Sequence, residues 1–232
     1  KGECVGVLLP RIPMYIVSCM GITRNASVFV PLDLTYPKDR IDYIIEESGM
    51  NYIISSKTVD YASQFEDKNI LYIEELDWGT DEVSPNNVVA SDLAAIYFTS
   101  GSTGNPKGAK ISHKSAINRI LWMHDFYPLE DNDVILQKTP YTFDVSVWEL
   151  FWWGITGRTL CASKPDEHFL PAKILQETEN NKVTHLHFVP SVFDLFLTYL
   201  ENNPEEQDKF SSVKYVFLSG EALTSNHIKR FY

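Results

Sequence analysis

Short apolar runs alternate with helix-like patterns along nearly the whole chain, and that alternation narrows the folds open to it. Residues 4–9, 27–32, 51–55, 69–73, 93–98, 133–137, 159–162, 185–189 and 214–218 read as strands. Between them, residues 14–23, 35–48, 115–126, 145–154 and 171–180 read as helices. So do a stretch with Phe193, Phe196, Leu197 and Leu200 on one face and a final segment from Thr224. Thr35 is expected to cap the second helix, with Pro37 in its first turn, Ile41, Ile44 and Ile45 inward and Gly49 as its stop. Strands and helices in this rhythm predict an α/β fold of mostly parallel sheets flanked by helices. Ligands in such folds sit at the carboxyl ends of the strands, and Phe98, Val189 and Leu218 each end a strand close to polar residues.

The strand at 93–98 runs into Thr99-Ser-Gly-Ser-Thr-Gly-Asn-Pro-Lys107-Gly108, and 109–111 is expected to return as the second arm of a hairpin. Hydroxyls and glycines so placed can turn oxygens and backbone N–H groups onto one anion, and Lys107 adds a compact positive charge suited to phosphate. The spacing does not fit G-x-x-x-x-G-K-[ST]. Counted from Gly101, the second glycine position holds Pro106, and Gly108 follows the lysine. The plain alternative is a polar surface turn.

The whole string resembles the signature of adenylate-forming enzymes: acyl-CoA ligases, beetle luciferases and the adenylation domains of nonribosomal peptide synthetases. That resemblance implies that Thr99, Ser100, Gly101, Ser102, Thr103, Gly104 and Lys107 hold the β- and γ-phosphates of ATP. Thr99 and Lys107 are then the candidate catalytic residues. The stretch Ser219-Gly220-Glu221-Ala-Leu is similar to the family's G-G-E-A-L near the adenine, with Ser219 in place of the first glycine, and marks Gly220 and Glu221 as adenine-side residues. Phe29-Val-Pro-Leu-Asp33 with Tyr36-Pro37 and Arg40 also resembles amino-acid-activating members. Arg24-Asn-Ala-Ser stands where they usually carry Lys-Ala-Gly, a departure that touches a packing turn.

Phe143-Asp144-Val-Ser is similar to the F-D-x-S motif of peptide-synthetase adenylation domains, whose acid binds the substrate's α-amino group. Read alone, Asp144 is an acid in apolar and aromatic surroundings, so it is expected either to await a cation or to cap a helix. Aligned by its motifs, the resemblance places Asp144, Val145, Trp148, His187, Phe217 and Ser219 around the substrate. Trp148 and Phe217 leave little volume, while His187 and Ser219 bring hydrogen-bonding groups. The set resembles that of serine-activating domains and implies L-serine. His187 as a satisfied core histidine is the alternative. His185 and His187 are expected to face opposite ways.

Composition excludes several other classes. A net charge of −11 offers no basic surface for nucleic acid. No apolar run is long enough to span a bilayer, and no signal peptide is read at the start, so no membrane partner is expected. Cys4, Cys19 and Cys161 are scattered and odd in number, which suggests buried thiols in a reducing, cytoplasmic setting; no metal site of side chains is expected. The acidic, Asn/Pro/Ser-rich stretch 74–91 reads as a connector between a leading segment, 1–90, and a segment 91–232 carrying loop and pocket. The chain opens inside a strand pattern and stops inside a helical one. It is therefore expected to be an adenylation domain cut at both ends, without its C-terminal lid domain.

The resemblance implies ATP and Mg2+ as cofactors and an amino acid as substrate. It also implies a carrier protein bearing phosphopantetheine and a neighbouring condensation domain as partners. The family's N-x-Y-G-P-T-E stretch and its ribose aspartate do not occur in these 232 residues. A non-catalytic fragment therefore stands as the reading from another class, and an acyl-CoA ligase as the reading from the same fold.

Overall fold

The computed structural model describes residues 1–60, 62–65, 67–77, 87–99 and 106–232. They form two compact units, Lys1–Trp122 with Tyr141–Asp144, and Met123–Pro140 with Val145–Tyr232.

The first unit is built on a six-stranded sheet. Its strands are β1 (Cys4–Leu8), β2 (Val28–Pro31), β3 (Tyr52–Ser55), β4 (Asn69–Tyr72), β5 (Leu93–Thr99) and β6 (Lys107–Ser112), in the order β4-β3-β1-β2-β5-β6. All neighbours are parallel except β6, which returns antiparallel along β5 as the hairpin reading requires. The pairing of Phe29 with Ala95 puts β5 in the same sheet as the strands before residue 90.

Strands β1, β2 and β5 are buried on both faces while the edge strands β4 and β6 are partly exposed, and the pleat sorts the side chains. Val28, Val30, Ile96 and Phe98 enter one cluster with Ile41, Ile44 and Ile45 of α2 (Lys38–Ser48). Phe29 and Tyr97 meet edge to face at 6.0 Å, and α1 (Pro13–Arg24) buries Tyr15, Ile16, Cys19 and Ile22. Gly49 ends α2 in a left-handed conformation, as expected. Thr35 does not cap it. Pro37 occupies the cap position with no side-chain bond, while the Thr35 N–H and hydroxyl both donate to Asp33 Oδ1, at 2.8 and 2.7 Å. A local turn around Asp33 has claimed the threonine, which is the usual competition for such side chains.

The second unit holds a parallel four-stranded sheet in the order β10-β9-β7-β8. Its strands are β7 (Val134–Gln137), β8 (Thr159–Ala162), β9 (His185–Phe188) and β10 (Tyr215–Leu218). One face packs Leu136, Leu186 and Phe188 against α5 (Pro171–Asn181) and α6 (Pro190–Asn202), with Phe193, Phe196 and Leu197 buried in that cluster. The other face carries His185 and His187 beneath α4 (Ser146–Thr156): His185 lies 5.6 Å from Trp152 and His187 6.3 Å from Trp148. The two histidines therefore share a face. Residues two apart on a strand always do, and Leu186 between them takes the other side.

Helix α3 (His113–Phe126) follows the hairpin, and α7 (Ser225–Phe231) ends the described chain with Thr224 as its cap. Two short 3-10 stretches, Ala62–Gln64 and Pro204–Phe210, add to the expected elements. No described helix is long and apolar enough to cross a membrane.

Candidate functional site

At the mouth of the β5–β6 hairpin, Thr99 and Lys107 are direct cross-strand partners and both are exposed. Opposed residues in an antiparallel ladder stand on one face of the sheet, so hydroxyl and ammonium project together. Lys107 has no carboxylate partner among the described residues. The Pro106 carbonyl accepts a hydrogen bond from the Tyr43 hydroxyl at 3.2 Å, tying the base of the hairpin to α2. Ser100, Gly101, Ser102, Thr103 and Gly104 lie outside the described residues. Gly108 belongs to strand β6 and not to the turn. A Cβ placed there would come within 2.9 Å of Ile96 Cγ2 and 3.3 Å of Phe98, so the glycine serves close packing under those side chains.

In the second unit, four of the expected substrate residues come together at strand ends. Phe217 sits opposite His187 in the β10–β9 register, and its ring is 5.2 Å from that of Trp148. His187 Nε2 lies 2.7 Å from Ser219 Oγ. Val145 precedes α4, one helical turn before Trp148 and half-buried. Asp144 belongs to the first unit and is exposed. It does not cap α4, where Val145 holds the cap position with no side-chain bond. Its exposure also removes the desolvation cost that burial among aromatics would impose.

The buried acid of this region is Glu149, fully enclosed on α4. Its Oε2 accepts from Lys138 N (3.2 Å), Thr139 N (3.0 Å) and Gln137 Nε2 (3.2 Å), and its Oε1 from Thr139 Oγ1 (2.5 Å). Thr139 Oγ1 also lies 3.0 Å from His187 Nδ1. Burial, helped by the nearby Lys138 charge, lowers the His187 pKa to about 3, so the ring is neutral at physiological pH. His185 is lowered to about 4, again by burial. Gln137, Thr139 and Glu149 were missed as site residues by the sequence reading. The available signal was an acid set inside Val-Trp-Glu-Leu-Phe-Trp-Trp, a run too apolar to hold a charge without several donors.

On the stretch expected at the adenine side, Gly220 has φ 89°, a conformation that L side chains rarely adopt, and a Cβ there would reach Val189 Cγ1 at 3.1 Å. Glu221 accepts from Ser191 N (2.9 Å) and Ser191 Oγ (3.0 Å), so it is already engaged at the first turn of α6.

Residues 1–232 match the family described as AMP-binding enzyme. The chain is 43% identical over 231 residues to zwittermicin A synthase ZmaJ of Bacillus cereus, covering 98% of this chain and 43% of that protein. It is 35% identical over 229 residues to tyrocidine synthase 3 of Brevibacillus parabrevis, covering 98% of this chain and 4% of that one. The chain thus spans less than half the length of these relatives. Among solved structures, the nonribosomal peptide synthetase FmoA3 in its AMPPNP-bound form superposes with a TM-score of 0.87 at 19% identity, over 100% of this chain and 24% of that chain. That likeness is one of fold, and it agrees with the α/β architecture read from the sequence. The chain belongs to the AMP-binding enzyme family, as part of an adenylate-forming domain of the nonribosomal peptide synthetase kind.

Proposed function

We propose that the protein carrying this chain activates L-serine. The serine carboxylate attacks the α-phosphate of ATP in line, giving seryl-AMP and pyrophosphate. The seryl group then passes to the phosphopantetheine thiol of a carrier protein, forming a thioester as the acyl–phosphate bond breaks and AMP leaves, beside a condensation domain in the same assembly. Little covalent chemistry falls to the protein in such a displacement; positioning and charge stabilisation carry it. Thr99 to Gly104 and Lys107 grip the phosphates, Gly220 and Glu221 lie on the adenine side, and Asp144 meets the α-ammonium. Val145, Trp148, His187, Phe217 and Ser219 surround the side chain. Mg2+ travels with the ATP phosphates, and no residue of this chain is assigned to it.

The observation that carries the serine reading is the 2.7 Å contact of His187 with Ser219 beside the rings of Trp148 and Phe217. A polar pair walled by large aromatics suits a small hydroxylated side chain and disfavours leucine, phenylalanine or tryptophan. An acyl-CoA ligase of the same fold would have no use for Asp144. The test is ATP–pyrophosphate exchange by the whole protein with amino acids, fatty acids and aryl acids in parallel. Serine should drive exchange; exchange with fatty or aryl acids and none with amino acids would refute the proposal. The 232-residue chain alone is expected to show no turnover, and robust exchange by it would overturn that expectation.

A further inference from the structure

One line of hydrogen bonds runs across the carboxyl ends of three neighbouring strands, from α4 to Ser219, and its direction can be worked out link by link. Glu149, with Lys138 N, Thr139 N, Gln137 Nε2 and Thr139 Oγ1 all directed at its two oxygens, acts as an acceptor. The Thr139 hydroxyl has one hydrogen, and it lies on the 2.5 Å bond to Glu149 Oε1. Toward His187 Nδ1, at 3.0 Å, Thr139 Oγ1 can then only accept. The neutral His187 ring therefore carries its proton on Nδ1, and Nε2 holds a lone pair. Across the 2.7 Å contact the Ser219 hydroxyl must donate. Its hydrogen is committed to His187, and what remains on Ser219 Oγ is lone pairs.

We propose that Glu149 and Thr139 are positioning residues that hold His187 in its Nδ1–H tautomer, so that Ser219 offers the substrate side chain an acceptor and not a donor. This rests on the serine reading and sharpens it. The site reads a hydrogen on the substrate's β-substituent, beyond its size or polarity. Serine can supply that hydrogen. β-Fluoroalanine is nearly the same size, but its fluorine can only accept, so it meets Ser219 lone pair to lone pair and is treated like alanine.

Two measurements test this, and they fail separately. The first is the imidazole 15N spectrum of the whole protein, with the His187 signals assigned by their loss in His187→Gln. Nδ1 should be protonated and Nε2 not, unchanged between pH 7 and pH 5. An Nε2–H ring overturns the proposal whatever the substrate is. The second is pyrophosphate exchange by the whole protein with serine, alanine and β-fluoroalanine. β-Fluoroalanine should fall within about 10-fold of alanine and far below serine, as expected where a site built to bond a hydroxyl meets an analogue without its hydrogen. Use of β-fluoroalanine as readily as serine overturns the acceptor assignment. Thr139→Val removes the oxygen that Nδ1–H needs and should shrink the serine preference over β-fluoroalanine by about 10-fold or more, while Thr139→Ser should retain it. An unchanged preference in Thr139→Val overturns the role given to Thr139. If that variant does not fold, the wild-type spectrum and the β-fluoroalanine comparison still decide. Alanine matching serine in the wild type overturns the serine reading on which the proposal rests, and the spectrum then decides the tautomer by itself.

Discussion

Replacing Glu149 with alanine should damage the second unit far more than the loss of one helical acid usually does. The carboxylate is fully buried and accepts from two backbone N–H groups, one amide and one hydroxyl. A buried donor that loses its acceptor costs about 1–3 kcal/mol. Gln137 Nε2 keeps a second acceptor in the Thr139 carbonyl at 2.7 Å, so the loss is concentrated on the two backbone groups and the Thr139 hydroxyl. With each of these three donors toward the lower end of that range, the expected sum is about 3–5 kcal/mol, in line with breaking other buried charged networks. For a chain of this length each kcal/mol moves the melting midpoint by about 2–4 °C, giving a drop of roughly 6–20 °C. Urea and thermal unfolding followed by tryptophan fluorescence would measure it, since Trp148, Trp152 and Trp153 all lie on α4. Glu149→Gln keeps the shape but turns an amide toward N–H donors, and should fall between the two. A Glu149→Ala unfolding free energy within about 1 kcal/mol of wild type would refute the claim that these donors depend on the carboxylate.

Three further predictions follow from the same geometry. His185 and His187 are held neutral in the folded chain, with pKa values lowered by burial to about 4 and about 3, while the unfolded chain protonates them near the ordinary value. The unfolded state therefore binds more protons between those values and pH 6.5, and stability falls as pH drops through that window. From pH 7 to pH 5 each should cost about 2 kcal/mol, read as a lower urea midpoint, and His187→Gln should recover about half of the loss. Lys107→Ala in the whole protein should raise the KM for ATP and leave the ranking of amino acids unchanged; an altered ranking with ATP use intact would show the loop is misassigned. Gly108→Ala must displace Ile96 or Phe98 and should lower stability by about 1–3 kcal/mol in urea unfolding.

Much of the fold was legible because it is local. The β5–β6 hairpin, the Ile41, Ile44 and Ile45 face of α2, and the apolar stripe of α6 each announce themselves within a dozen residues. What escaped the sequence reading was set by partners far along the chain or by a slip in periodicity. Thr35 had two local uses, and Asp33 won. His185 and His187 share a face for the simple reason that strands repeat every two residues. The return of Tyr141–Asp144 to the first unit is a non-local event that no window of sequence carries. At the candidate site, motif positions drew attention to Asp144, yet the charge that burial makes expensive is Glu149. Its donors come from 137–139, ten or more residues away, and became visible only once β7 and α4 were packed together.

The most direct measurement of the central claim is a competition. The whole protein would be given ATP with serine, alanine, threonine and glycine in equal amounts, and the aminoacyl adenylates trapped with hydroxylamine and weighed by mass spectrometry. A side-chain site built from His187 and Ser219 beside Trp148 and Phe217 should yield seryl hydroxamate almost alone. Alanine should lose for want of a hydroxyl and threonine for want of room. Alanyl and seryl hydroxamates in comparable amounts would contradict the reading of a hydroxyl in that site.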